Sequence, residues 1–126
     1  MNVSKTLVWA GILLILATGA IHLVETPHHF EEAKYIGVLF VLNGIGSVVA
    51  AVGIYLQRGW AWWLGAFIAG FSIINYIVSR TVGLPGTEIE DWETVGIISL
   101  VVEAAFLLVF LPAFAGLRKG VGLSDK

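Results

Sequence analysis

Three histidines fall close together among acids, in His22-Leu23-Val24-Glu25-Thr26-Pro27-His28-His29-Phe30-Glu31-Glu32. Imidazole is the commonest metal ligand, and carboxylates add hard oxygen donors. His22 and Glu25, three residues apart, could share one helix face, with His29 folding back over them after Pro27. His22, Glu25, His29 and Glu32 are therefore the candidate metal ligands, a donor set that suits copper(II) or zinc. They match no established ligand spacing, so a solvated, pH-sensitive loop is the competing reading. Haem fits less well, because two axial histidines on facing helices would need His22 to pair across a dimer.

A second set is notable for where it lies. Glu103 is the only acid inside a long apolar run. A charge at mid-membrane costs roughly 2.5–3.5 kcal/mol on insertion scales. Glu103 should therefore face a bundle interior, be protonated or have a partner, with His22 or Arg80 as structural candidates. Ser99 and Gly96 precede it by four and seven residues, on the same helix face. Asn43 and Ser47 repeat the four-residue spacing, and Ser72, Asn75 and Ser79 form another stripe that ends at Arg80. Glu103, Arg80, Asn43, Asn75 and Ser99 are the candidate ligand-binding residues. The plainer reading of the Ser and Asn side chains is helix-to-helix glue, worth about 0.6 kcal/mol per bond on average.

The elements that must carry these residues are four apolar runs, at 6–24, 33–56, 59–79 and 92–117. Each can cross a hydrocarbon core of about 30 Å, which takes roughly 20 helical residues. Helix is the expected form, since a run in lipid must satisfy its own backbone and none of these alternates as a barrel strand would. The first run is longer than the roughly 7–15-residue core of a signal peptide, so it is expected to remain as a helix. Pro27 is expected to stop the first helix or reshape its end, and Pro112 to kink the fourth. Gly46-Ala50-Gly53 and Gly65-Ala69 read as close-packing positions.

Orientation follows from basic residues. Lys5, Arg58, Arg118, Lys119 and Lys126 fall on one side, and Lys34 and Arg80 on the other. This bias places both termini and the 57–59 hairpin in the cytoplasm. Trp9, Tyr55, Trp60, Trp62 and Trp63 then form the inner aromatic belt, and Tyr35, Tyr76 and Trp92 the outer one. The polar residues gather in the outer half or near the midplane, over an apolar floor. A pocket open to the outside fits this pattern, and a through-channel does not.

The 126 residues allow one domain, with 58% hydrophobic and 13% charged residues and a mean hydropathy of +0.91. Half the usual charge cannot coat a water-facing surface, so lipid is the expected partner. A net charge of −2 without a basic run excludes a nucleic-acid partner. The lack of cysteine removes disulfides and thiolate chemistry. No nucleophile elbow, phosphate loop or zincin helix is present.

His22-Leu23, Pro27-His28-His29-Phe30-Glu31-Glu32, Gly37-Val38-Leu39-Phe40 and Ser79-Arg80-Thr81-Val82-Gly83-Leu84-Pro85 together resemble a group of small, uncharacterised four-helix integral membrane proteins of bacteria and archaea. Their pattern reads His-Leu, then Pro-x-His-Phe-x-Glu, then Ser-Arg-Thr-x-Gly-Leu-Pro. The resemblance runs from the first helix to the start of the fourth and implies a four-helix membrane fold with no settled activity. His22, His29, Glu32 and Arg80 match patterned positions. Members often carry an acid where this chain has Ser99; here the acid comes one turn later, at Glu103.

The expected architecture is all-α: a four-transmembrane-helix bundle, up-down-up-down, with N and C termini cytoplasmic. The expected function is a binding or accessory component of the cell membrane, with a transition metal, copper or zinc, as one ligand class. A structural subunit of a larger membrane complex or a homo-oligomer is the alternative. A small transporter or membrane enzyme is a more distant one.

Overall fold

The computed structural model describes residues 3–124. They form α1 (Lys5–Glu32), α2 (Lys34–Tyr55), α3 (Gly59–Thr81) and α4 (Thr94–Ser124), with no strand among the described residues. Lys126 lies outside the described residues, as does the side chain of Lys119. All four helices are long and apolar enough to cross a membrane. At 1.5 Å per residue, the 23 residues of α3 extend about 35 Å.

Each helix packs on its neighbours in a closed ring. The α1 helix touches α2 and α4, α3 touches the same two, and α1 meets α3 only slightly across the diagonal. Consecutive helices run antiparallel. Gly19 of α1 sits against Ser47 of α2, while Gly37 meets Phe30 nearer their junction. Across α2 and α3, Gly53 meets Ala61 and Gly46 meets Ile68. Across α3 and α4, Gly65 abuts Phe106 and Gly96 abuts Tyr76. The small residues at 46, 50, 53, 65 and 69 thus sit where helices approach closely, as close packing requires.

The first helix does not end at Pro27. It continues to Glu32, and the single extended residue Ala33 (φ −164°, ψ 141°) separates it from α2. Proline removes one backbone donor, which here would have served the Leu23 carbonyl. In the neighbouring turn Thr26 Oγ1 donates to the His22 carbonyl at 2.7 Å, and the Ala33 N–H closes the end of the helix on the His29 carbonyl at 3.2 Å. As a result the 25–32 segment is a helical extension, and His29 does not fold back over His22. Pro112 likewise lies inside a continuous α4.

The core fills the half of the bundle that holds the 56–58 hairpin. Ile12, Ile15, Ala50, Ile54, Ala61, Trp62, Ala69, Phe106, Phe110 and Ala113 pack there. Trp62 is fully buried, stacked on Phe106 with centroids 5.8 Å apart. It rests over Gly11, where a Cβ would come within 2.5 Å of the indole. It is therefore a core residue and not part of the expected aromatic belt, whereas Trp9, Tyr55, Trp60 and Trp63 are exposed. The outer surface carries Leu13, Leu42, Ile45, Val52, Phe67, Ile74, Val101, Leu108 and Leu111, all exposed. A surface so apolar fits a lipid environment better than water.

Candidate functional site

A cavity of about 380 Å³ occupies the other half of the bundle, between the hydrophobic floor and the 82–93 loop. Every helix contributes polar side chains to it. His22, Glu25, His29 and Glu32 come from α1 and Asn43 from α2; Ser72, Asn75, Tyr76, Ser79 and Arg80 come from α3, and Ser99 and Glu103 from α4. Glu90 and Glu93 of the loop complete the mouth. All nine candidate residues from the sequence line this one space. Leu64 and Ile68 line its inner end.

At its deepest polar point, α1 and α4 present His22 and Glu103. Glu103 is 1% exposed, and its Oε2 accepts a hydrogen bond from Ser99 Oγ at 3.1 Å. The i, i+4 spacing on one helix face makes that bond possible. His22 Nδ1 lies 2.8 Å from the Thr18 carbonyl. A carbonyl only accepts, so Nδ1 carries the proton and a neutral ring has its lone pair at Nε2. That Nε2 faces Glu103 Oε2 at 3.8 Å. The separation is too long for a direct hydrogen bond, yet short enough for one group seated beside both atoms to reach each of them. Beside this pair, Asn43 Nδ2 donates to Ser72 Oγ at 2.6 Å and Ser47 Oγ to Asn43 Oδ1 at 3.3 Å, a link from α2 to α3. Asn75 Nδ2 turns to the Phe71 carbonyl of its own helix, 2.8 Å away.

Arg80 governs the loop side. Its side chain is only 4% exposed. One amino group donates to Glu90 Oε2 at 2.8 Å and Ser79 Oγ at 2.6 Å, the other to Glu93 Oε1 at 3.0 Å, and Nε to the Asp91 carbonyl at 3.1 Å. The guanidinium also lies 4.2 Å from the centre of the Tyr76 ring. A planar fork with five donors suits this multipoint role, which a lysine could not fill. Gly83, at φ +94°, ends α3 by donating to the Val78 carbonyl at 2.7 Å, a conformation that favours glycine. The Tyr35 hydroxyl donates to the Pro85 carbonyl, and Glu90 N–H to that of Ser79 at 3.0 Å. Together these bonds pin the loop across the mouth.

The mouth itself gathers the remaining candidates. His29 Nδ1 lies 2.5 Å from Glu32 Oε1, and His28 Nε2 lies 3.6 Å from the same oxygen. The His29 ring stacks on Phe40, with centroids 3.8 Å apart. Glu90 reaches in from the loop, and burial first, then contact with Glu32, raises its pKa above the usual carboxylate value.

The expected metal set does not converge on one point. His22 engages the Glu103 end, while His29 and Glu32 meet at the mouth and Glu25 lines the wall between. Sequence reasoning put Ser72 on a polar stripe and Tyr76 in the outer aromatic belt without taking either as a site residue, and it missed Glu90 and Glu93. A buried arginine needs acids, and the 88–93 cluster supplies them; that was the available signal for Glu90 and Glu93. Ser72 and Tyr76 carried none beyond their helix face.

No curated protein and no solved structure matches the chain. The model of a family of unknown function (DUF7475) matches residues 1–114, and the chain belongs to that family.

Proposed function

We propose that this protein is a multi-pass membrane protein whose outward-facing pocket binds a small molecule bearing an ammonium group, as a binding or accessory component. The observation that carries this reading is the 3.8 Å gap between His22 Nε2 and Glu103 Oε2. An ammonium group seated beside both atoms keeps the Glu103 carboxylate ionised and donates one N–H to it and another to His22 Nε2, inside an otherwise apolar bundle. A cavity of about 380 Å³ is in the range of small-molecule sites, which are mostly apolar with a few placed polar groups. A transition metal fits the interior poorly, because His22 and Glu103 are its only strong ligands at that depth.

The membrane reading rests on the four long apolar helices and their exposed aliphatic surface. The basic-residue bias puts both termini and the hairpin in the cytoplasm, and so turns the cavity mouth outward. The packed floor of Ile15, Ile54, Trp62 and Phe106 argues against a continuous path for transport.

Native mass spectrometry of the detergent-purified protein tests this reading. The wild type should carry a small molecule that Glu103→Gln, which exchanges an acceptor for a donor amide, releases or retains at less than about a tenth occupancy. A bare wild-type chain found in fixed stoichiometry with another membrane protein would instead favour a structural subunit. The Asn43–Ser72 bond between helices is the feature that suits that alternative.

A further inference from the structure

We propose that the mouth of the cavity is a separate binding site for a divalent transition-metal ion of the zinc class, held by His28, Glu32 and Glu90. One ring nitrogen of His28 and one carboxylate oxygen each of Glu32 and Glu90 lie within 4.8 Å of one another. Ligands about 2.0–2.2 Å from a tetrahedral ion sit roughly 3.3–3.6 Å apart, so side-chain shifts of about an ångström seat all three.

An independent observation beside these three points the same way. His29 is 8% exposed, and its Nδ1 has no hydrogen-bond partner. Glu32 Oε1, also buried, lies 2.5 Å from it without the geometry of a hydrogen bond, so the two atoms crowd one another and neither is satisfied. Buried polar atoms in native proteins are nearly always satisfied, and an exception points to a missing ion or water. A cation that draws Glu32 towards His28 and Glu90 relieves this contact.

The surroundings agree with a cation. Glu32 and Glu90 bring two carboxylates together, a like-charge pair that an ion neutralises. Arg80 holds Glu90 through Oε2 and so orients the carboxylate as outer-shell partners of metal ligands do. Imidazole nitrogens beside carboxylates select zinc or copper(II) over calcium or magnesium, and the absence of cysteine removes the soft donors copper(I) prefers. The extended α1 makes the site, because its spacing of His28 and His29 to Glu32 is i, i+4 and i, i+3. The site lies apart from the His22–Glu103 gap, and different variants test the two.

The test is calorimetric titration of the chelator-stripped, detergent-purified full chain with zinc chloride. One zinc per chain is expected. Glu32→Gln, Glu90→Gln and His28→Ala should each weaken binding by about tenfold or more. Glu88→Gln, an exposed acid of the same loop, should bind as the wild type does. The His28 side chain is 59% exposed, so its removal leaves the fold intact and circular dichroism will show that. Lack of saturable zinc binding, or wild-type affinity in His28→Ala together with Glu90→Gln, overturns the site.

Discussion

His22 and Glu103 face one another from α1 and α4 with Nε2 and Oε2 3.8 Å apart, each held from behind by its own helix. Thr18 fixes the imidazole and Ser99 fixes the carboxyl, both through i, i+4 contacts. The pair is therefore set by rigid elements, and its spacing is a property of the bundle.

This arrangement predicts coupling. In a double-mutant cycle of His22→Ala and Glu103→Gln, read by thermal unfolding in detergent, the interaction energy should exceed about 0.5 kcal/mol. Additivity within about 0.3 kcal/mol would mean that the two groups do not act together.

Arg80 should matter more through its geometry than its charge. Arg80→Lys keeps the charge and loses the fork, so at least two of its bonds to Ser79, Glu90, Asp91 and Glu93 go unmade. A cost of about 1–3 kcal/mol is expected. Amide exchange in 82–93 should accelerate while that of the 56–58 hairpin stays unchanged. Unaltered exchange in the loop would remove Arg80 from its role as the clamp.

Close approach of α1 and α2 depends on Gly19. A Cβ there would lie 2.6 Å from that of Ser47. Gly19→Val should lower stability by about 1–3 kcal/mol through overpacking. Gly70→Ala, where a Cβ meets nothing within 4 Å, is the comparison and should be neutral within about 0.5 kcal/mol. Equal melting temperatures for the two variants would contradict the packing described for this interface.

Much of this was legible in the sequence, for identifiable reasons. Length and apolarity define helices in such a chain almost alone, so four were expected and four are present. Depth counting placed His22, Asn43, Asn75, Ser79, Arg80, Ser99 and Glu103 in the outer half or near the midplane, and they line one cavity. The end of α1 was not legible, because Pro27 is normally a stop signal and the packing of 28–32 against α2 and the 82–93 loop is tertiary. Trp62 sits beside belt tryptophans in sequence, and only the glycine at position 11, on another helix, provides its slot. The meeting of Glu90 with Glu32 joins residues 58 positions apart, which no local spacing encodes.

Everything proposed for the cavity depends on its mouth facing away from the cytoplasm across a bilayer. The chain has no cysteine, so single-cysteine variants report position without background. Gln57→Cys and Glu88→Cys mark the hairpin and the 82–93 loop, both exposed, and neither removes a basic residue that sets orientation. In intact cells an impermeant maleimide should label Glu88→Cys, and should label Gln57→Cys only after permeabilisation. Labelling of Gln57→Cys in intact cells, or recovery of the protein in the soluble fraction, would contradict the account.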